Sequence, residues 1–247
     1  MESSQPSLGP SIWAVSDGRA GNAAQVRAVI SALSETQRWL QIGHIAGQGH
    51  RSDPITLTPR APWTWLPGAD WPLPRFALPS DQRGLLSSPW PTLWVAAGRR
   101  SAPYTASVRG WSGQKSLTVQ ILDPKTDPSK FDLVVVPEHD VLDGPNVIRT
   151  TGSPTHFSED AIEEAGQAFA DLADDNSKSA VIILGGHSKT HRFERALAAE
   201  LMQQFEALAG DGWRLRITCS RRTPLSIVTE MRQMADRVGA SFWANEQ

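Results

Sequence analysis

Ile12-Trp13-Ala14-Val15-Ser16-Asp17-Gly18-Arg19-Ala20-Gly21-Asn22 is the stretch whose reading decides the fold. An apolar run over 12–15 predicts a short buried strand, and the glycine-containing turn behind it ends that strand abruptly. A helix is then predicted over 23–33, because Val26, Val29, Ile30 and Leu33 recur at helical spacing. Strand, glycine turn and helix together open a βαβ unit, which implies an α/β fold with a parallel sheet.

Working outward, 39–45 reads as the next strand. Thr92 to Ala97 is another, followed by a helix over 102–109 with Pro103 in its first turn. The apolar runs 117–122, 133–136 and 146–148 read as buried strands, the last two separated by too little chain for a helical crossover. Ser158 with Glu159 and Asp160 predicts a helix start, and Ile162, Ala165, Phe169 and Leu172 form its apolar face. The opening device then recurs. A strand over 180–184 runs into Gly185-Gly186-His187-Ser188, and Phe193, Leu197, Leu201, Phe205 and Leu208 mark a helix. A strand over 213–218 is followed by Thr223 as N-cap with Pro224 at the first helical position. Val228, Met231, Ala235 and Val238 give that helix its inner face, and 240–243 reads as a closing strand.

Two βα series, each opening on a glycine turn, predict two Rossmann-like domains, 1–155 and 156–247. From Val181 onward there is room for three strands and two helices, against the five or six strands of a doubly wound sheet. The second domain is therefore expected to be incomplete.

Between the second and third strands the pattern breaks, over residues 47–91. Prolines such as Pro54, Pro59, Pro62, Pro67, Pro72 and Pro74 remove backbone donors and fix φ, so no regular helix or central strand is expected there. The same window holds Trp63, Trp65, Trp71 and Trp90, in a chain with ten Trp and a single Tyr. Two readings stand for this segment: a surface that docks a partner or a membrane interface, or a cover folded back over the first domain.

The chain has 247 residues, with 24 Lys and Arg against 26 Asp and Glu for a net charge of −2. A near-neutral balance excludes a dedicated nucleic-acid binder. No run approaches the ~18 apolar residues of a membrane span, and the polar start lacks the layout of a secretory signal. A single cysteine, Cys219, excludes an internal disulfide and a cysteine-cluster metal site, and no His spacing suggests a metal. The expected compartment is cytoplasmic.

Candidate chemistry gathers at strand ends. Asp17, Gly18, Gly21 and Asn22 sit where a strand hands over to a helix, which suits an anion or a tight turn. Gly98-Arg99-Arg100-Ser101 is a second such end. Gly185, Gly186, His187 and Ser188 form a third, and Ser220, Arg221, Arg222 and Thr223 a fourth, whose two guanidiniums suit a diphosphate. Glu138-His139-Asp140 is the best acid/base candidate, since an imidazole flanked by carboxylates is held in one tautomer. No dinucleotide fingerprint, Walker loop or nucleophile elbow is present.

Taken together, Ser16 to Asn22 with Gln25, Ala97 to Ser101, Phe131-Asp132-Leu133-Val134-Val135-Val136-Pro137-Glu138-His139-Asp140, Gly144 to Val147, Gly185 to Ser188 and Ser220 to Pro224 occur in one order. In these strings the chain resembles the bacterial members of the mitochondrial-fission elongated-mitochondria family. The resemblance implies a fold similar to GT-B glycosyltransferases, with two Rossmann-like domains, an acceptor side first and a nucleotide-sugar side second. It also implies further strands beyond the segment matching Ser241 to Trp243, so this chain is expected to be truncated and inactive alone.

Two functional expectations follow. In the first, a nucleotide-sugar diphosphate in an interdomain cleft rests on Gly185, Gly186, Ser188, Arg221 and Arg222. The acceptor then lies by Asp17–Asn22, and His139, Glu138 or Asp17 takes its proton; no separate cofactor is called for. In the second, the chain is a non-catalytic adaptor that uses the Trp/Pro-rich segment for a partner or a membrane surface.

Overall fold

The computed structural model describes residues 11–35, 54–155, 157–170, 178–188 and 191–244. The chain divides into two compact units, Met1–Glu159 and Asp160–Gln247. The architecture is mixed α/β. The expected strand over 39–45 lies outside the described residues.

Unit 1 is built on β1 (Ile12–Ser16), β2 (Ile55–Thr56), β3 (Leu93–Ala97), β4 (Leu117–Ile121), β5 (Leu133–Pro137) and β6 (Val147–Thr150). They form one sheet in the order β2-β1-β3-β4-β5-β6, every pair parallel. β3 is buried at all five positions, as a central parallel strand must be when both faces are covered. Leu93, Val95 and Ala97 pack toward α1 (Ala20–Glu35) through Val26, Val29, Ile30 and Leu33. Trp94 and Ala96 pack on the other face with Tyr104 and Val108 of α3 (Ala102–Trp111). The buried Trp94 indole finds its partner there, donating to Thr105 Oγ1 at 3.1 Å.

The Trp/Pro-rich segment completes that second face. Its described part contains the two residues of β2, short 3₁₀ turns and the four-residue α2 (Ser80–Arg83). Leu57, Trp71, Ala77, Leu78 and Leu86 are buried in the same cluster as Trp94 and Tyr104. Trp71 meets Tyr104 edge-on at 6.0 Å, and the Arg75 guanidinium lies 5.0 Å over Trp111. Burial pushes the Tyr104 hydroxyl well above its ordinary value. The described part of the segment thus contributes to the core: proline excludes regular elements but not burial of apolar side chains.

Several local expectations are corrected. α1 begins at Ala20, taking the glycine turn into its first turn. β6 pairs parallel with β5 although the connection 138–146 holds no helix; as an edge strand it is half-exposed, with Ile148 at the surface. α4 (Glu159–Ala168) buries no residue: Ile162 and Phe169 are exposed, and Leu172 lies outside the described residues.

Unit 2 carries β7 (Ser179–Leu184), α5 (Arg195–Gly210), β8 (Arg214–Cys219), α6 (Leu225–Val238) and β9 (Ser241–Ala244), with the strands parallel in the order β7-β8-β9. Both crossovers step the same way, and right-handed crossovers then put both helices on one face. Phe205 of α5 and Met231, Met234 and Ala235 of α6 bury Leu184, Leu215, Ile217 and Cys219 there. The opposite face shows Val181 and Ile183, 65% and 78% exposed, beside half-exposed Trp243. α5 starts later than its apolar spacing suggests, leaving Phe193 in the loop, and α6 takes Pro224 rather than Thr223 as N-cap. No described helix is long and apolar enough to cross a membrane.

Candidate functional site

Because every strand of unit 1 is parallel, all the carboxyl ends share one edge of its sheet. The strand order reverses direction at β1 and β3, and in open α/β sheets ligands gather outside such a switch point. Asp17 leaves β1 there and Gly98 leaves β3. The Asp17 side chain is only 1% exposed. Its Oδ1 accepts from Asn22 Nδ2 at 2.7 Å and from the Arg19 backbone N–H at 3.3 Å. Its Oδ2 is buried and has no hydrogen-bond partner among the described residues, while Arg19 Nε stands 3.9 Å away on a largely exposed side chain.

Gly98 makes this packing attainable. Its φ is +99°, and a Cβ on it would lie 2.3 Å from Asn22 Nδ2 and 2.7 Å from Asp17 Oδ2. Gln120 and Ser101 hold the turn in place: Gln120 Nε2 donates to the Gly98 carbonyl at 3.2 Å and Ser101 Oγ at 2.7 Å. Gln120 was not singled out in the sequence, yet a signal was there. A glutamine inside the apolar run Leu117-Thr118-Val119-Gln120-Ile121 is a buried polar group that must be explained. Gly18 donates its N–H to Ser16 Oγ at 3.2 Å, and Gly21 lies in the first turn of α1 with open space around it.

The other unit 1 candidates make no hydrogen bond or ion pair with Asp17 among the described residues. Arg99 and Arg100 are exposed on the β3–α3 turn, Arg99 reaching the Leu66 carbonyl at 3.4 Å. Glu138 and His139 are exposed beyond β5, three strands from β1, which is about 14 Å at the usual strand spacing. The Glu138 N–H donates to the Thr150 carbonyl and its Oε1 accepts from Thr151 Oγ1 at 3.2 Å. The Asp140 N–H closes the turn on the Pro137 carbonyl at 2.9 Å. A shallow groove of about 500 Å³ at the opposite edge is lined by Arg109, Ser129, Asp132 and Asn146. Its polar groups serve the fold: Arg109 pairs with Asp132 at 3.0 Å, and Asn146 Nδ2 donates to the Pro128 and Phe131 carbonyls, each at 2.8 Å.

In unit 2 the loops after β7 and β8 interlock. Ser220 N–H donates to the Leu184 carbonyl at 2.9 Å, Thr223 Oγ1 to the Gly185 carbonyl at 2.7 Å, and His187 N–H to the Arg222 carbonyl at 3.3 Å. At their crossing a Cβ on Gly186 would lie 1.9 Å from the Arg222 carbonyl oxygen, so only glycine fits. His187 Nδ1 accepts from the Phe193 N–H at 3.1 Å, which leaves its proton on Nε2 and makes that exposed edge a donor when neutral. Ser188 Oγ accepts from the His191 N–H at 2.9 Å and thereby shapes its own loop.

Thr223, occupied with Gly185, does not cap α6, and Pro224 offers no side-chain cap. The first amides of this fourteen-residue helix therefore point outward with their dipole end uncapped, beside the exposed Arg221 and Arg222. Uncapped amides, guanidiniums and an imidazole N–H are all donors, and such a set receives an anion. Among the described residues no group of three or more His, Cys, Asp or Glu is arranged to hold a metal ion.

Comparison with known proteins bears on most of the chain. It is 21% identical over 182 residues to the mitochondrial fission protein ELM1 of Arabidopsis thaliana, covering 64% of this chain and 43% of the plant protein, so it spans less than half the length of that relative. No solved structure matches. The pattern of the family described as mitochondrial fission ELM1 matches residues 20–247, which takes in the Asn22, Gly98 and Gln120 cluster and both interlocked loops of unit 2, and the chain belongs to that family.

Proposed function

We propose that this chain is glycosyltransferase-like, binding the diphosphate of a nucleotide sugar at the interlocked loops of unit 2. The observation that carries the reading is the crossing of Gly186 with Arg222, which presents the uncapped start of α6 and two exposed guanidiniums together. In the transfer, an acceptor hydroxyl attacks the anomeric carbon while the bond from that carbon to the diphosphate oxygen breaks. The leaving diphosphate gains charge, and donors fixed in advance stabilise it more than they stabilise the substrate. The hydroxyl proton goes to a carboxylate or an imidazole, with Asp17, Glu138 and His139 as candidates.

Calorimetric titration with a panel of nucleotide sugars tests this. One member of the panel should bind, and the double substitution R221A/R222A should weaken it about 10- to 100-fold, the worth of one or two charge-assisted hydrogen bonds. A panel without heat, or binding indifferent to both arginines, ends the reading.

A second reading keeps the chain as an adaptor, in keeping with the fission role in the plant relative's name. Trp65, Leu73 and Phe76 favour it: they stand 78%, 70% and 51% exposed on the Trp/Pro-rich segment, while Leu57, Trp71, Leu78 and Leu86 of the same segment are buried. On that reading, the triple substitution W65A/L73A/F76A abolishes binding to vesicles or to a captured partner and leaves Tm within a degree or two. Unchanged binding by the variant rejects it.

A further inference from the structure

We infer that two copies of this chain pair by exchanging helices: α4 of each copy lies on the open face of the β7–β9 sheet of the other. The inference is independent of the diphosphate reading, since the loops after β7 and β8 take no part in it.

Both surfaces are bare within one copy. The β7–β9 sheet is covered by α5 and α6 on one face only, whereas parallel sheets are ordinarily covered on both. Its register sets Val181 beside Arg216, and Ile183 beside Thr218 and Trp243, so these side chains share the open face with Arg214. Val181 and Ile183 are exposed and Trp243 is half-exposed, an apolar patch with charge at its rim. α4 likewise buries none of its residues. Ile162, Ala165 and Phe169 recur at helical spacing and form one stripe. The Phe169 N–H extends the helical ladder to the Ala165 carbonyl at 3.0 Å. Glu159 and Glu163, four residues apart, line one flank of that stripe.

Charge selects the pairing. Among the described residues the open sheet face carries Arg214 and Arg216 and no carboxylate, while α4 carries Glu159, Asp160, Glu163 and Glu164 and no cation. Two sheet faces placed together would oppose their guanidiniums, and two α4 helices their carboxylates; like charges so placed are costly. Helix on sheet is the contact that joins unlike charges. The dimensions agree. Glu159 and Glu163 stand about 6 Å apart along a helix axis, and Arg214 and Arg216 about 6.6 Å apart along a strand. Three strands span about 10 Å, the width of one helix. Ile162 and Phe169 then cover Val181 and Ile183 while the two glutamates meet the two arginines. Within one copy the helix and the sheet both stand open, so each is left for a second copy. Exchange about a twofold axis satisfies both surfaces of both chains, and the assembly closes at two.

The test is analytical ultracentrifugation of the full chain over a broad range of concentration. A monomer–dimer equilibrium is expected, weakening as salt is raised. The charge reversals E159K/E163K and R214E/R216E should each lower self-association at least about tenfold. Mixed in equal amounts, the two variants should form a heterodimer, because both contacts then join unlike charges again. If the strand variant fails to fold, I162D/F169D serves in its place: it alters a helix that buries nothing in the single copy and should leave the chain monomeric. A chain monomeric at every concentration overturns the proposal. So does a dimer indifferent to these substitutions, or a pair of folded charge-reversed variants that stays monomeric when mixed. A monomer whose α4 amides are protected from hydrogen exchange shows the helix closed on its own sheet, which also overturns it.

Discussion

At Gly186, Gly98 and Gly21 one residue type plays different parts. A methyl group on Gly186 runs into the Arg222 backbone, and one on Gly98 into Asp17 and Asn22, whereas Gly21 has nothing within 4 Å. Gly186→Ala and Gly98→Ala are therefore expected to lower Tm by several degrees. Gly21→Ala should raise stability by about 0.5 kcal/mol, through lost freedom of the unfolded chain. Calorimetric melting of the three variants checks the order, and a stable Gly186→Ala chain contradicts the interlock. Cys219 gives a second test at this scale. Burial pushes its thiol above the ordinary value, so the folded chain holds it protonated. Alkylation at neutral pH should be slow in the folded chain and fast once unit 2 unfolds in denaturant. The sign of the linkage also follows: the thiol's contribution is full below its unfolded value, about pH 8.5, and stability declines as pH rises above it. Rapid labelling of the native chain would show that β8 is less well covered than its packing indicates.

Among the elements, the Trp/Pro-rich segment and the β7–β9 sheet divide into buried and bare sides. Trp71→Ala is expected to cost about 3–5 kcal/mol, as for other buried aromatics, and Trp65→Ala less than about 0.5 kcal/mol. In unit 2 Ile217→Ala should cost about 2–5 kcal/mol, while Ile183→Thr on the open face should be near neutral. Urea unfolding monitored by tryptophan fluorescence and circular dichroism measures all four, and equal losses on both faces of the sheet would reject the one-sided core. Much at this scale was legible in the sequence. Helical spacing located α1, α5 and α6, and short apolar runs located β3, β4, β5 and β8. The burial of the Trp/Pro-rich segment was legible as one of two readings, the cover over the first domain, and its details were not, because local propensity reports what proline forbids and is silent on which distant face a tryptophan fills. α4 illustrates the reverse: Ile162 and Phe169 have the right period for burial, yet both are exposed.

For the whole molecule, the repeated device at Ile12–Asn22 and at 180–188 is seen as β1 running into α1 and as β7 running into its glycine turn, in a mixed α/β chain. The motifs fall in loops at the carboxyl ends of strands, and the sequence did not show which contacts their residues make there. Asp17 reads as part of an anion turn until its carboxylate is seen buried against Asn22, and Thr223 reads as a helix cap until its hydroxyl is seen on Gly185. Gln120 escaped notice because it belongs to no motif and acts through the Gly98 carbonyl. The strand ends thus divide: Asp17 of unit 1 bonds to Asn22 and pairs with Arg19, while in unit 2 the start of α6 lies beside exposed Arg221 and Arg222. The most direct test of that division is a pyrophosphate titration followed by backbone amide shifts in the full chain. The account predicts saturable shifts at His187 and at the start of α6, lost in R221A/R222A, with Asp17 to Asn22 unmoved. Shifts confined to Asp17 to Asn22, or none at the start of α6, would contradict it.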